Sequence, residues 1–347
     1  MSAANRPAPS VGVVVPLYRV ERFVADTVAA LAAQTVRPDR VVLVDDRGGD
    51  RSVAVALDAA RAHGLPVTLI THPRNRGLSA ARNTGLDALD TDLVWFCDSD
   101  DTADPRFVEL LRAAIVEHDA ALAVARTALV TREGRRTGVV EPSSPEPACP
   151  GEEYARRILV NEARGYACNK LVRRDLLDGV RFPEGMAYED LPVLLRLALR
   201  TRTVALVDEP LYHYTTNEAS LSRRFGPHTL DLFAQEALVR AELTRAGLLG
   251  DDRAGRWRST YTRYRYDGVL LPVANMALRS LAAARGSADG VPDGLRQDVG
   301  AAVRLARRSV RARELAALWR AGARRAAVAG AVLALTPRGY AAVLERR

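Results

Sequence analysis

Trp95-Phe96-Cys97-Asp98-Ser99-Asp100-Asp101 sets three carboxylates within four residues at the end of an apolar stretch. Leu93 to Cys97 is a short β-favouring run with Asp92 in front and acids behind, which reads as a buried strand. A second element begins almost at once. Asp104-Pro105 is an N-cap and first-turn signature, and Phe107, Leu110, Leu111, Ala114 and Ile115 recur at helical spacing. The acids therefore lie in a loop at a strand's carboxyl end, where open α/β sheets bind ligands. Turn and cap preferences alone also produce Asp-rich loops. Crowded carboxylates nevertheless repel one another unless a cation sits among them, and a divalent metal holding a diphosphate would supply that cation.

Working outward, the first two-thirds of the chain alternates strand and helix. Val11 to Pro16 is a continuous apolar run of the kind buried on both faces of a parallel sheet, and Phe23, Val24, Val28 and Leu31 mark a helix over 21–34. Strands are expected at 40–44 and 66–70, with helices at 52–63 and 78–89. Such alternation predicts an α/β fold with a doubly wound, mainly parallel sheet. Its strand ends carry Pro16-Leu17-Tyr18, Asp45 to Asp50 and the acidic run, and all three can face one crevice. Glu141 to Pro147 reads as an exposed, mobile Pro-rich loop. Beyond Arg224 the chain is rich in Ala, Leu and Arg at helical spacing, clearest over 230–248 and 304–335. Pro272 and the stretch 286–294 are expected to break it. The expected division is a catalytic domain over 1–224 and a helical region over 225–347 that meets an acceptor, a membrane or a second copy.

The 347 residues are 48% hydrophobic, enough for a sizeable core, and carry a formal charge of +8. That balance favours anionic partners: nucleotides, acidic polymers or a phospholipid surface, among which charge alone does not choose. No nucleic-acid partner is expected. Cys97, Cys149 and Cys168 make neither a metal-ligand spacing nor an even disulfide set, which fits a reducing cytoplasm. Val11 to Leu17 is too short for a secretory leader, and no apolar run reaches the roughly 18 residues of a membrane span. The expected location is cytoplasmic, with a peripheral position at the inner face of the membrane left open.

Several motifs then appear in a fixed order: Val11 to Tyr18, Glu21, Ala33-Gln34-Thr35, Val44-Asp45-Asp46, Asn75 to Gly85, and Asp98-Ser99-Asp100-Asp101. They continue as Asn169-Lys170-Leu171, Phe182-Pro183-Glu184-Gly185, Tyr188-Glu189-Asp190 and Ser220-Leu221-Ser222-Arg223. In order and spacing they resemble the family 2 glycosyltransferases of the GT-A fold, in their wall-polymer and capsule branches. The resemblance spans residues 11 to about 224 and does not fix a substrate.

What the resemblance implies can be stated residue by residue. A nucleotide-sugar donor would lie at Pro16, Tyr18, Asp46, Arg82 and Asp98. Tyr18 would stack on the base and Asp46 accept the imide N–H of uracil, which favours a UDP-sugar, while Arg82 would reach the diphosphate. Asp45 reads as the structural member of its pair. Asp98 and Asp100 would hold Mn²⁺ or Mg²⁺, because hard oxygen donors select hard cations, with His213 or Asn217 as a further contact. Asp101 would bind through water or anchor its loop. Asp190 would be the general base, with Glu189 positioning the acceptor, although an N-cap is a competing reading for Asp190. Two departures stand out: Arg19 replaces a usual Asn, and Arg47-Gly48-Gly49 replaces Gly-Ser-x.

The activity expected is inverting, metal-dependent transfer of a sugar to an acceptor hydroxyl, in polysaccharide, teichoic-acid-like polymer or glycoconjugate synthesis. A natural-product acceptor and an idle nucleotide-sugar-binding subunit are the alternatives. The Gly-rich phosphate loop of nucleotidyltransferases and the Q-x-x-R-W signature of processive synthases are missing from the sequence, where Arg256-Trp257 lacks the preceding Gln.

Overall fold

The computed structural model describes residues 7–216, 225–250, 254–286, 291–336 and 340. Ten strands form one sheet: β1 (Val11–Leu17), β2 (Arg40–Asp45), β3 (Thr68–Thr71), β4 (Leu93–Phe96), β5 (Thr102–Ala103), β6 (Leu122–Val130), β7 (Arg136–Val139), β8 (Ala148–Pro150), β9 (Lys170–Arg173) and β10 (Thr203–Thr215). The helices of this half are α1 (Val24–Ala32), α2 (Ser52–Ala62), α3 (Leu78–Asp87), α4 (Phe107–Glu117), α5 (Gly151–Leu159) and α6 (Asp190–Arg200). The spatial order is β3-β2-β1-β4-β9-β6-β10-β5, with β7 on β6 and β8 on β10.

The part read from sequence, β3-β2-β1-β4, is parallel throughout. β9 then lies antiparallel to both β4 and β6, while β6 and β10 run parallel, so the sheet is mixed beyond its parallel start. β1 shows why it sits at the centre: all seven of its residues are buried. Pro16 is tolerated there because β1 pairs with β4 only as far as Val14, leaving no ladder bond for the missing N–H to break. Trp95 stacks on Phe107 at 4.3 Å between centroids, joining β4 to α4 within the main core.

Three local expectations change. Asp104 is not a side-chain cap on α4; its carboxylate instead accepts the Arg106 N–H at 2.9 Å, while its carbonyl starts the turn. The Pro-rich loop is anchored at its start: Glu141 is buried and accepts the Thr127 N–H at 2.7 Å and the Asn169 amide at 3.1 Å. Pro272 does not break the C-terminal helix. A π-helical turn over Arg265–Leu270 precedes it and absorbs the lost backbone bond inside a run that stays helical from 254 to 285.

Two compact units emerge. The first is Met1–Ala155, Glu162–Gly185 and Glu189–Thr216; the second is Arg156–Asn161, Met186–Tyr188 and Asn217–Arg347. From residue 225 onward the second unit is helical wherever regular structure is described: α7 (Asp231–Arg245), α8 (Ala254–Tyr264), α9 (Leu271–Arg285), α10 (Asp293–Arg308), α11 (Ala312–Arg320) and α12 (Arg324–Leu335), with short 3₁₀ and π turns between. Among the described residues no helix is long and apolar enough to cross a membrane.

Candidate active site

Arg82 is the centre of the first unit's polar cluster. α3 starts at Gly77, whose φ of +88° suits glycine, and packs so tightly on β1 that a Cβ on Gly85 would lie 2.3 Å from Val14. That seat carries Arg82 inward until only 1% of it is exposed. Its Nη2 donates to Asp98 at 2.8 Å, and its Nη1 to Glu189 at 2.8 Å and to Asp190. The guanidinium also lies 5.2 Å from the Phe182 ring centroid. Nε finds no partner among the described residues. Burial works against the charge, but Asp190, Asp98 and Glu189 outweigh it and hold the guanidinium protonated. Where the resemblance implied a diphosphate contact for Arg82, the structure sets its charge against three carboxylates with almost no exposed surface.

Asp190 is the first residue of α6 and makes no side-chain cap. Its carboxylate is held between Arg82 and the Ala167 N–H, which donates at 3.0 Å, so the N-cap reading fails. Burial raises its pKa, with Arg82 opposing and Asp98 adding to the rise. Glu189 is pushed up to about 7, first by burial and then by Asp190, with Arg82 opposing. A carboxylate more basic than usual, held on both oxygens, is suited to taking a proton near neutrality.

The acidic run separates into distinct environments. Asp101 is 1% exposed and accepts the Tyr212 hydroxyl at 2.7 Å and the Thr215 N–H at 2.8 Å, which fastens the loop to β10. Of the two readings, the anchoring one describes it. Asp98 is partly exposed and turns one oxygen to Arg82. No side chain or backbone N–H of another described residue bonds the Asp100 carboxylate, whose pKa rises to about 6 through burial and the nearby Asp98. Asp98, Asp101 and Cys168 bring ligand atoms within 4.8 Å of one another. Burial raises the Cys168 thiol well above its ordinary range, so it stays protonated.

His213 is not part of this group. Tyr212 points to Asp101, and strand alternation turns His213 to the opposite face of β10, where its charged neighbours are Asp104 and Arg136. The expected metal contact from His213 is corrected accordingly. Asn217 and Ser220 to Arg223 lie outside the described residues.

At the ends of β1 and β2, Tyr18 is 42% exposed, with the Arg19 guanidinium 5.2 Å from its ring centroid. Asp46 is buried and accepts the Arg76 and Gly77 N–H groups, each at 2.8 Å, while His72 Nδ1 approaches at 2.7 Å. A carboxylate only accepts, so this His72 nitrogen carries the proton, while its Nε2 lies 2.9 Å from the Thr84 hydroxyl. Asp46 thus shapes the turn before α3. Asp45, half-buried, accepts the Arg47 N–H at 2.8 Å.

Sequence reasoning gave no role to His72, Thr84 or Glu141, and it quoted Lys170 only as part of a motif. Lys170 is fully buried, and its ammonium donates to the carbonyls of Arg164 and Tyr166 and to the Asn169 amide oxygen, at 2.9, 2.7 and 2.6 Å. The only warning in the sequence was a lysine opening an apolar β-run, Lys170-Leu171-Val172.

Residues 12–181 match the family described as Glycosyl transferase family 2. The match covers just under half of the 347 residues. EpsH of Bacillus subtilis is 29% identical over 223 residues, which span 62% of this chain and 64% of EpsH. The chain therefore covers less than two-thirds of that relative. Among solved structures, residues 1–349 of S. aureus TarS, in complex with UDP-GlcNAc, superpose with a TM-score of 0.65 at 20% identity, covering 97% of this chain and 90% of the other. The mannosyltransferase PcManGT of Pyrobaculum calidifontis, in complex with GDP-Man and Mn²⁺, gives 0.50 at 15% identity, covering 98% and 90%. These structural likenesses show the fold, which is of the GT-A type.

Proposed function

We propose that this chain is an inverting glycosyltransferase that moves a sugar from a nucleotide diphosphate, UDP favoured, to an acceptor hydroxyl. The observation that carries the reading is the Arg82 cluster, which fixes Asp190 and Glu189 beside Asp98 at the end of β4. The UDP preference rests on TarS, the structural neighbour solved with UDP-GlcNAc, because the Asp46 carboxylate is already engaged by Arg76, Gly77 and His72 and is not free for a base. The motif order supports a polysaccharide, teichoic-acid-like or glycoconjugate acceptor.

A divalent cation fits the donor set, because Asp98 is partly exposed and Asp100 has no cationic partner among the described residues and an upward-shifted pKa. Asp98 and Asp100 would hold Mn²⁺ or Mg²⁺, which when bound offsets charge on the leaving diphosphate. Asp190 accepts the proton of the acceptor hydroxyl as that oxygen attacks the anomeric carbon. Arg82 and the Ala167 N–H keep its two oxygens in place, and direct displacement inverts the anomeric configuration. Exposed Tyr18 offers a ring for the base, while Asp46 holds the adjoining turn.

Thermal shift with UDP, GDP and CDP, with and without Mn²⁺, tests the reading. The Asp190→Asn variant should keep the UDP shift while turnover falls at least roughly a hundredfold. No shift from any nucleotide, or equal loss of UDP binding and turnover in the variant, would overturn it.

A further inference from the structure

Residues 304–335 contain eight arginines and a single acid, Glu314, and so hold +7 of the chain's formal +8. Glu314 turns inward to pair with the buried Arg265, whereas all eight arginines are exposed. On α12, Arg324, Arg325, Val328 and Leu335 fall on one helix face. Val328 and Leu335 are 53% and 79% exposed, and Trp319 at the end of α11 is 54% exposed. Two contacts join these into one surface. The Arg324 guanidinium lies 5.6 Å from the Trp319 ring centroid, and Arg307 of α10 donates to the Ala334 carbonyl at 2.8 Å.

We propose that this face docks on an anionic phospholipid membrane. Acidic headgroups would receive the guanidiniums, while Trp319, Val328 and Leu335 enter the headgroup–acyl boundary and the arginine stems lie along it. A soluble polyanion would satisfy the arginines but leave the apolar side chains in water. A second copy meeting this face about a two-fold axis would set +7 against +7. Only a surface both anionic and apolar matches both halves of the patch. The proposal stands independently of the transferase reading, since none of these residues belongs to the Arg82 cluster.

The test exploits the tryptophans. Trp95 and Trp257 are buried, at 0% and 3% exposed, so Trp319 reports insertion almost alone. Vesicles of equimolar phosphatidylcholine and phosphatidylglycerol should sediment the full chain and shift its emission to the blue, with affinity falling roughly tenfold or more as salt screens the charge. Arg320→Glu/Arg324→Glu/Arg325→Glu should abolish sedimentation, and Trp319→Ser should remove the blue shift, with both variants folded by circular dichroism and keeping their nucleotide-induced thermal shift. Equal binding to pure phosphatidylcholine would overturn the proposal, as would no sedimentation at low salt. So would binding to polyphosphate with the same blue shift, or a dimer in which Trp319 is already blue-shifted without lipid.

Discussion

Arg82 and Lys170 are both cations with almost no exposed surface, and the first unit stabilises them by opposite means. Arg82 meets three carboxylates and is held charged. Lys170 receives only neutral oxygens from protein, and burial lowers its pKa to about 8 against the weaker pull of Glu141. The two converge on one side chain. Arg82 grips Asp190 through charge, while Lys170 ties down the 164–170 loop, whose Ala167 N–H binds the other Asp190 oxygen. One contact sets the electrostatics of Asp190 and the other its orientation, so the two residues should fail differently.

Arg82→Met should have the largest effect. It leaves Asp98, Glu189 and Asp190 crowded with no cation, and breaking a buried pair by removing one partner costs about 3–5 kcal/mol. Urea unfolding should show a loss in that range, with transfer undetectable. A variant as stable as the parent would mean that the carboxylates are protonated and the cluster is not ionic.

Lys170→Met removes a charge that was expensive to bury but leaves two carbonyls and an amide oxygen without their donor, a loss of about 1–3 kcal/mol. The 164–170 loop should loosen and kcat fall on the order of tenfold through misplacement of Asp190, with the donor KM nearly unchanged. Lys170→Arg should restore part of kcat if positioning is the role. A rise in KM with kcat intact would instead place Lys170 on the donor side.

How far the sequence could be read follows from the range of each interaction. The β1 to α4 alternation was legible because each element writes its own periodicity, and the predicted strands and helices match those observed to within a few residues. β9 and β10 were not, since they pair with β4 and β6 across separations that run from 46 residues (Lys170 with Val124) to 85 (Thr215 with Val130), and no local pattern sets their register. At the site, Asp98, Asp190 and Glu189 were legible as motif members. Arg82 was legible as a motif member, but not its three carboxylate partners: one helical turn decides whether a guanidinium faces solvent or three acids. His213 failed for a similar reason, as alternation along β10 sends it away from Asp101. Glu141 was hidden in a Pro-rich loop whose composition promises exposure.

Glu189 sharpens the contrast by titration. Its folded pKa of about 7 lies above the ordinary 4.5, so the stability it contributes is fully present below about 4.5 and is lost as pH rises through 7. Glu189→Gln removes that dependence and leaves Arg82 with Asp98 and Asp190. Between about pH 5 and pH 7.5 the parent should lose about 1–2 kcal/mol more than the variant in matched urea melts. Parallel pH profiles would show that Glu189 is ionised throughout and that Arg82 neutralises more charge than burial opposes.

The smallest effect is expected where this chain departs from the motif pattern that its sequence otherwise resembles. Arg19 and Arg47 adopt φ of +55° and +58°, the left-handed region that glycine and asparagine enter most readily. Those are the residue types the motif usually has at the two positions, so both substitutions place strain at the ends of β1 and β2. Contacts hold them there: Arg19 Nε donates to the Gly48 carbonyl at 3.2 Å, and Arg47 Nε to the His72 carbonyl at 2.8 Å. Arg47→Gly relieves roughly 1–2 kcal/mol of left-handed strain, but it loses that bond and adds about 0.5–1 kcal/mol of backbone entropy. Net stability should therefore move by less than about 1 kcal/mol in either direction. Nucleotide affinity is the more telling readout, because Arg47 braces His72, and His72 braces Asp46. If that chain positions the nucleotide loop, UDP binding should weaken severalfold with the melting temperature almost unchanged, whereas unchanged UDP affinity would confine Arg47 to the surface.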